Sequence, residues 1–97
     1  MLKLKEIPQP EIDARIDHIL HAMGSGLLEY NRIGYEHIRQ FADLLIRCEG
    51  EHTEIFKNLA RTRVGISERY IAEYYRAFIS WGVFRVHEKR IVMTDKE

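Results

Sequence analysis

The chain has 97 residues and a mass of 11.5 kDa, enough for one small domain, or one domain with an arm, and too little for two independent cores. Hydrophobic residues make up 45% and charged residues 31%, which excludes disordered and fibrous classes, and fifteen basic residues balance fifteen acidic ones. The longest apolar run, residues 41–46, contains an Asp and is far shorter than a membrane helix requires.

Two further features indicate an intracellular protein that folds by packing alone. The first residues lack the apolar stretch and small-residue cleavage site of a secretory signal peptide. Cys48 is the single cysteine, so no internal disulfide can form. We therefore expect a cytoplasmic protein.

The first predicted helix spans residues 11–23. Pro10 suits its first turn, and Gly24 and Gly26 end it because glycine favours turn geometry. Its apolar residues recur every three or four positions and form one stripe: Ile12, Ile16, Ile19, Leu20 and Met23. Residues 27–33 fit either a short extended segment or an early helical turn.

Two more helices are predicted between residues 35 and 65. An apolar stripe from Tyr35 to Cys48 predicts the second helix, which Gly50 ends. Thr53 is predicted to be the N-cap of the third. The inner face of that helix carries Ile55, Phe56, Leu59 and Ala60. Residues 63–65 form the turn that follows it.

A fourth helix is predicted from Glu68 to about Trp81, with Ser67 as its N-cap and Gly82 at its end. After it the hydrophobic period changes from 3.6 to 2. Residues 84–86 and 91–93 then predict the two strands of a hairpin, joined by the polar residues 87–90.

The order of these elements, and one run of residues within it, closely resembles the winged helix-turn-helix family of DNA-binding domains. The run consists of Leu59-Ala60, Gly65-Ile66-Ser67, Ile71, Phe78 and Gly82-Val83-Phe84. In that family a hydrophobic-Ala pair precedes a Gly-Ile-Ser turn. A β-branched residue follows four positions after the Ser, a large apolar residue lies about seven beyond it, and a Gly-hydrophobic-hydrophobic exit leads into the wing. The resemblance covers residues 35–94, with one residue more than usual between Ala60 and Gly65, so a longer turn is expected.

The resemblance implies a mainly α fold with a small β-hairpin, in which residues 35–97 form the winged helix-turn-helix domain and residues 1–34 an N-terminal helical arm. It also implies that the fourth helix enters the major groove of DNA. There Arg69 is the best candidate for a two-hydrogen-bond contact with guanine, and Glu73 for a contact with cytosine or for orienting Arg69. Tyr70, at the start of the helix, is a candidate for a phosphate contact. The alternative for this face is a solvated surface with an internal Arg69–Glu73 pair.

Groups around that helix are candidates for phosphate contacts, which fix register without reading sequence. They are Lys57, Asn58, Arg61 and Arg63 before the helix, and His87, Lys89 and Arg90 on the wing, which can reach the adjacent minor groove or its phosphates. Ser67 and Arg76, on the helix itself, are further candidates for contact with DNA. The charge distribution favours this interpretation. Residues 57–90 carry eight basic against three acidic residues, whereas residues 1–56 carry six against ten. Such a split is typical of a chain with one half that binds an anionic partner.

A homodimer is also predicted. The stripe on residues 11–23 is wider than a small winged domain needs, and Ile79 and Trp81 are apolar at positions that are usually polar in the family. We expect residues 1–34 to form the dimer interface, and the helix 11–23 to cover Ile79 and Trp81 from the same chain or its partner. Two-fold dimers suit inverted-repeat DNA.

These patterns favour one function among three. The first is sequence-specific double-stranded DNA binding by a small dimeric, nucleoid-associated regulator or by an operator- or centromere-site binder. The alternatives are a winged-helix protein-interaction module and an architectural DNA-binding protein with little base preference.

No phosphate loop, nucleophile elbow or zinc-protease motif is present. The His18–His21 and Cys48–His52 pairs lack partners at zinc-finger spacing. We therefore expect neither catalysis, nor a metal site, nor a cofactor.

Overall fold

A computed structural model describes residues 4–23 and 35–95. This part of the chain is mainly helical and carries one small antiparallel hairpin, as the sequence predicts. The elements in chain order are α1 (Gln9–Met23), α2 (Tyr35–Arg47), α3 (Thr53–Leu59), a π-helical turn (Ala60–Val64), α4 (Glu68–Ser80), β1 (Phe84–His87) and β2 (Arg90–Met93). No helix in these ranges combines the length and the apolar character that crossing a membrane requires. Residues 27–33, which the sequence left ambiguous, lie outside the described residues.

Helix α1 belongs to the core of its own chain. Ile12, Ile16, Ile19 and Met23 are 0–2% exposed and lie in one hydrophobic cluster with residues of α2, α4 and the hairpin. On the surface, Arg39 of α2 donates a hydrogen bond to Asp17 at 2.7 Å. The described part of the predicted arm is therefore packed into the domain. Because its apolar stripe is buried within one chain, that stripe is not free to form a dimer interface.

Aromatic side chains join α2 to the two helices that follow it. The ring of Phe41, at the centre of α2, makes edge-to-face contacts with Phe56 of α3 and with Tyr74 and Phe78 of α4, at centroid distances of 5.0, 5.6 and 5.1 Å. Phe41, Phe56 and Phe78 have no exposed surface. These contacts fix the positions of α3 and α4 relative to one another.

The N-terminus of α3 differs from the prediction by one residue. His52, rather than Thr53, is the N-cap, and its Nδ1 accepts a hydrogen bond from the backbone N–H of Glu54 at 3.1 Å. Thr53 is the first helical residue and is buried. The prediction was wrong because an unprotonated imidazole nitrogen can cap a helix as a hydroxyl does.

The connection from α3 to α4 contains one residue more than is usual in the family, and residues 60–64 of it form a π-helical turn. The backbone N–H groups of Gly65 and Ile66 both reach back to the carbonyl of Ala60. Gly65 has φ +84°, in the left-handed region where a side chain would be strained. Ser67 is the N-cap residue of α4, as predicted, although its hydroxyl makes no capping hydrogen bond. The backbone geometry of this turn thus sets the start of α4 without a side-chain cap.

The hairpin is tighter than predicted. β1 and β2 pair antiparallel with His87 opposite Arg90, so only Glu88 and Lys89 form the turn, not the four residues 87–90. Both turn residues have positive φ, +51° and +64°, as in a type I′ turn.

Residues 50–53 run alongside β2. The N–H of Gly50 donates to the carbonyl of Ile91 at 2.8 Å, and the N–H of Ile91 donates to the carbonyl of Glu51 at 3.0 Å. The N–H of Thr53 donates to the carbonyl of Lys89 at 2.9 Å. The segment between α2 and α3 thus pairs with β2 through an isolated antiparallel bridge, with His52 opposite Arg90, and it fixes the position of the hairpin beside α3.

The thiol of Cys48 is buried at the end of α2, and this has a consequence for stability at high pH. Burial raises the pKa of Cys48 from 9.0 to about 11, with Glu51 adding to the shift and Arg63 opposing it. Burial also raises the pKa values of Tyr74 and Tyr75. Between pH 9 and about 11 the unfolded chain loses the thiol proton while the folded chain keeps it.

We therefore expect the free energy of unfolding to fall across that pH range, with a contribution from Cys48 of up to about 2–3 kcal/mol. Below pH 9 this contribution is fully present. Urea denaturation of the wild type and of Cys48→Ala at several pH values from about 8 to about 11 measures it, because the variant keeps only the tyrosine contribution. An equal fall in both proteins contradicts the prediction.

Candidate nucleic-acid interface

The outer face of α4 is polar and exposed, and its inner face packs into the core. Ile71, Tyr74 and Phe78 are buried, whereas the side chain of Arg69 is 81% exposed. Tyr75 is half-buried, and its ring makes an edge-to-face contact with Phe84 of β1 at 5.1 Å. Tyr75 therefore lies at the border between core and surface.

A groove separates the outer part of α4 from α3. It is lined by Glu54, Lys57, Asn58 and Arg61 on one side and by Glu68, Ile71, Ala72, Tyr75 and Arg76 on the other. Four residues predicted from the sequence to contact DNA (Lys57, Asn58, Arg61 and Arg76) are thus brought together around one groove. Ile71, Ala72 and Tyr75 give the groove an apolar floor, so the cationic groups stand at its edges.

Two of these cationic side chains are held in defined positions. The ammonium of Lys57 lies 4.6 Å from the centroid of the Tyr75 ring, within cation–π range. The guanidinium of Arg61 donates to Asn58 Oδ1 and to Glu68 Oε1, both at 2.9 Å. Asn58 therefore orients Arg61, and Glu68 on α4 neutralises it.

Arg69 and Glu73 form the intrahelical pair that the sequence offered as the alternative to base contact. Arg69 Nε lies 3.6 Å from Glu73 Oε1. A pair of this kind on a helix surface contributes only about 0.2–0.5 kcal/mol. The guanidinium can leave it at little cost, so the pair is compatible with a second partner for Arg69.

Ser67 and Tyr70 flank Arg69 at the start of α4. The Ser67 side chain is exposed and takes no part in capping. Tyr70 is 47% exposed and stacks on Tyr74 with a centroid distance of 6.0 Å. Both hydroxyl-bearing side chains therefore lie at the surface next to the N-terminus of α4.

The wing carries three predicted phosphate contacts in different environments. His87 and Lys89 are exposed, with His87 Nε2 lying 3.9 Å from Glu88 Oε1. Arg90 donates from Nη1 to the carbonyl of Gly50 at 2.8 Å. Arg90 therefore links the hairpin to the segment between α2 and α3, a contact that sequence reasoning missed because no local signal predicts a pairing across 40 residues.

Arg63 lies apart from the groove between α3 and α4. It lines a second groove, together with residues of α1 and α2 that include Arg39 and Arg47. The reason is the spacing of Arg61 and Arg63, because residues two positions apart in a helical turn point to different sides. Arg63, predicted beside Arg61 as a phosphate contact, does not share a groove with it.

Ile79 and Trp81, at the end of α4, are not covered by α1. They are 40% and 56% exposed. The expectation that helix 11–23 of the same chain covers them is wrong, because that helix packs its apolar stripe into the core.

The residues considered for metal binding do not converge. Within the described ranges, no group of three or more His, Cys, Asp or Glu side chains is arranged to hold a metal ion. Cys48 is buried as a thiol, and His52 uses Nδ1 to cap α3.

Comparisons with known proteins found no relative of this chain. The chain matches no model of a known protein family, no curated protein and no solved structure.

Proposed function

We propose that this chain is a winged helix-turn-helix protein that binds double-stranded DNA with α4 as its recognition helix. The proposal is carried by the position of three exposed arginines, Arg61, Arg69 and Arg76, on or beside the outer face of α4. The inner face of the same helix packs into the core and holds it in place. Arginine at such a position can donate two hydrogen bonds to guanine in the major groove. The exposed Lys89 at the tip of the hairpin supplies a second, separate contact to the backbone.

The connections between the elements support this proposal. From residue 35 onward the described elements follow one another as helix, helix, π-helical turn, helix and hairpin. That order agrees with the family that residues 59–84 resemble. The role that we propose for it is that of a small regulator or of an operator- or centromere-site binder. Dimerisation stays a prediction, and it needs a surface other than the buried stripe of α1.

Binding selection from a random duplex pool, followed by sequencing of the bound DNA, tests the proposed function directly. Enrichment of one motif supports a specific DNA binder. Binding without enrichment indicates an architectural protein. No binding at about 50 mM salt, where phosphate contacts are strong, contradicts DNA binding and favours the protein-interaction module.

Two variants distinguish a side chain that reads the base sequence from one that contacts only the DNA backbone. Arg69→Ala removes an exposed side chain, so we expect the fold to be kept. Affinity for the enriched site should drop by about 1–3 kcal/mol and affinity for random DNA far less. Lys89→Gly suits the left-handed backbone of the turn and removes one charge.

For Lys89→Gly we expect equal weakening on both duplexes, and a slope of log K against log salt that is shallower by about 0.9 per protomer. Fluorescence anisotropy at several salt concentrations measures all of these quantities. The assignment of roles is wrong if Lys89→Gly abolishes the preference for the enriched site and Arg69→Ala leaves it intact.

A further inference from the structure

We propose that Glu68 is a positioning residue that holds Arg61 in the free protein, and that a DNA phosphate takes its place when the duplex binds. This inference rests on the proposed function, and it adds that the Glu68 carboxylate lowers the affinity for DNA at the same site. It concerns one ion pair, between Arg61 in the π-helical turn and Glu68 in the first turn of α4.

The Arg61–Glu68 pair is distinguished by its position. Three cationic residues line the groove between α3 and α4, namely Lys57, Arg61 and Arg76. Among the described residues, Arg61 is the one of these three with a carboxylate within 4 Å, the Glu68 Oε1 atom at 2.9 Å. The acidic residue therefore neutralises one specific member of the cationic set.

The geometry leaves Arg61 able to exchange its partner. The side chains of Arg61 and Glu68 are 52% and 78% exposed, so the pair is in contact with solvent. Asn58 Oδ1 accepts from the other terminal nitrogen of the same guanidinium and keeps it at the mouth of the groove. A phosphate oxygen can replace the carboxylate oxygen at Nη1 while the bond to Asn58 is retained. The exchange moves no backbone.

The exchange has a cost that does not depend on base sequence. Phosphate contacts carry no sequence information, and each neutralised phosphate releases counterions. Because Glu68 already neutralises Arg61, the wild-type pair adds little to the net charge that the duplex meets. Removing the carboxylate charge therefore removes the cost of breaking the ion pair, and every duplex should bind more tightly.

Glu68→Gln tests this step, with Glu11→Gln as the matched control. Glu11 is exposed in the first turn of α1, so both variants change the net charge by the same amount in the first turn of a helix. We expect Glu68→Gln to bind random duplex about 2–5-fold more tightly at ~0.1 M salt. Its slope of log K against log salt should be unchanged, because Arg61 contacts a phosphate in both complexes; a slope steeper by about 0.9 would mean that Arg61 of the wild type stays paired with Glu68, which overturns the proposal. Glu11→Gln should change affinity by less than about 1.5-fold, since salt screens distant charges.

A second background shows whether Glu68 acts through Arg61. We expect the gain from Glu68→Gln to shrink to the level of the Glu11→Gln control when Arg61 is also changed to Gln. If the full gain persists in the Arg61→Gln background, Glu68 acts as a plain repulsive charge and the proposal is overturned. It is also overturned if Glu68→Gln and Glu11→Gln behave alike. If the wild type binds no duplex at all, the proposed function fails first, and the two failures are thereby distinguished.

Discussion

Removal of residues 1–34 is expected to abolish the cooperative folding of the remaining chain. The four apolar residues of α1 that are 0–2% exposed each contribute about 1.5–3 kcal/mol when buried. Their sum, roughly 6–12 kcal/mol, is comparable to the whole stability of a domain of this size. A fragment of residues 35–97 therefore lacks the surface that covers α2, and its urea transition should be broad and its near-ultraviolet circular dichroism weak.

Point substitutions in the full chain provide a graded form of the same test. Ile16 is buried and His18, two residues later, is exposed on the same helix. We expect Ile16→Ala to lower the free energy of unfolding by about 2–4 kcal/mol and His18→Ala by less than about 0.5 kcal/mol. A fragment 35–97 that unfolds cooperatively at the urea midpoint of the full chain would show instead that α1 is a separable arm.

The sequence predicted where the helices lie because their local signals are strong. The stripes of apolar residues located all four helices, and glycines marked their ends, as Gly65 and Gly82 show with φ of +84° and +75°. The same stripes did not reveal what they pack against. A row of apolar residues is equally suited to a partner chain and to its own core, so α1 was assigned to a dimer interface.

The details of the candidate site were harder to predict than its location. Arg69 and Arg76 were predicted on the outer face of the fourth helix and Arg61 on the turn before it, and in the structure all three are exposed on or beside α4. The pairing of Arg61 with Glu68 joins the π-helical turn to the first turn of α4. A π-helical turn has no clear signature in a single sequence. Contacts that cross it were therefore beyond prediction.

Asp95→Ala is expected to be the most destabilising single substitution of a charged residue considered for this chain. Asp95 follows β2 and accepts two hydrogen bonds from Arg15 of α1, at 2.8 and 3.2 Å. The two side chains are only 5% and 14% exposed, so the pair has little contact with water. Without the carboxylate, Arg15 keeps a charge with little solvation. We expect a loss of about 3–5 kcal/mol in the free energy of unfolding, measured by urea denaturation.

The exposed pair between Arg39 and Asp17 is the matched control, because it has the same chemistry and a similar distance, 2.7 Å, while Asp17 is 68% exposed. Asp17→Ala should cost less than about 1 kcal/mol, since water screens such pairs. A double variant separates the two possible causes of the loss at Asp95. If the cost comes from the stranded charge, changing Arg15 to Met together with Asp95 to Leu should restore most of the stability, because apolar side chains pack where the ion pair was. If the double variant is as unstable as Asp95→Ala, the paired hydrogen bonds themselves hold the C-terminal segment against α1.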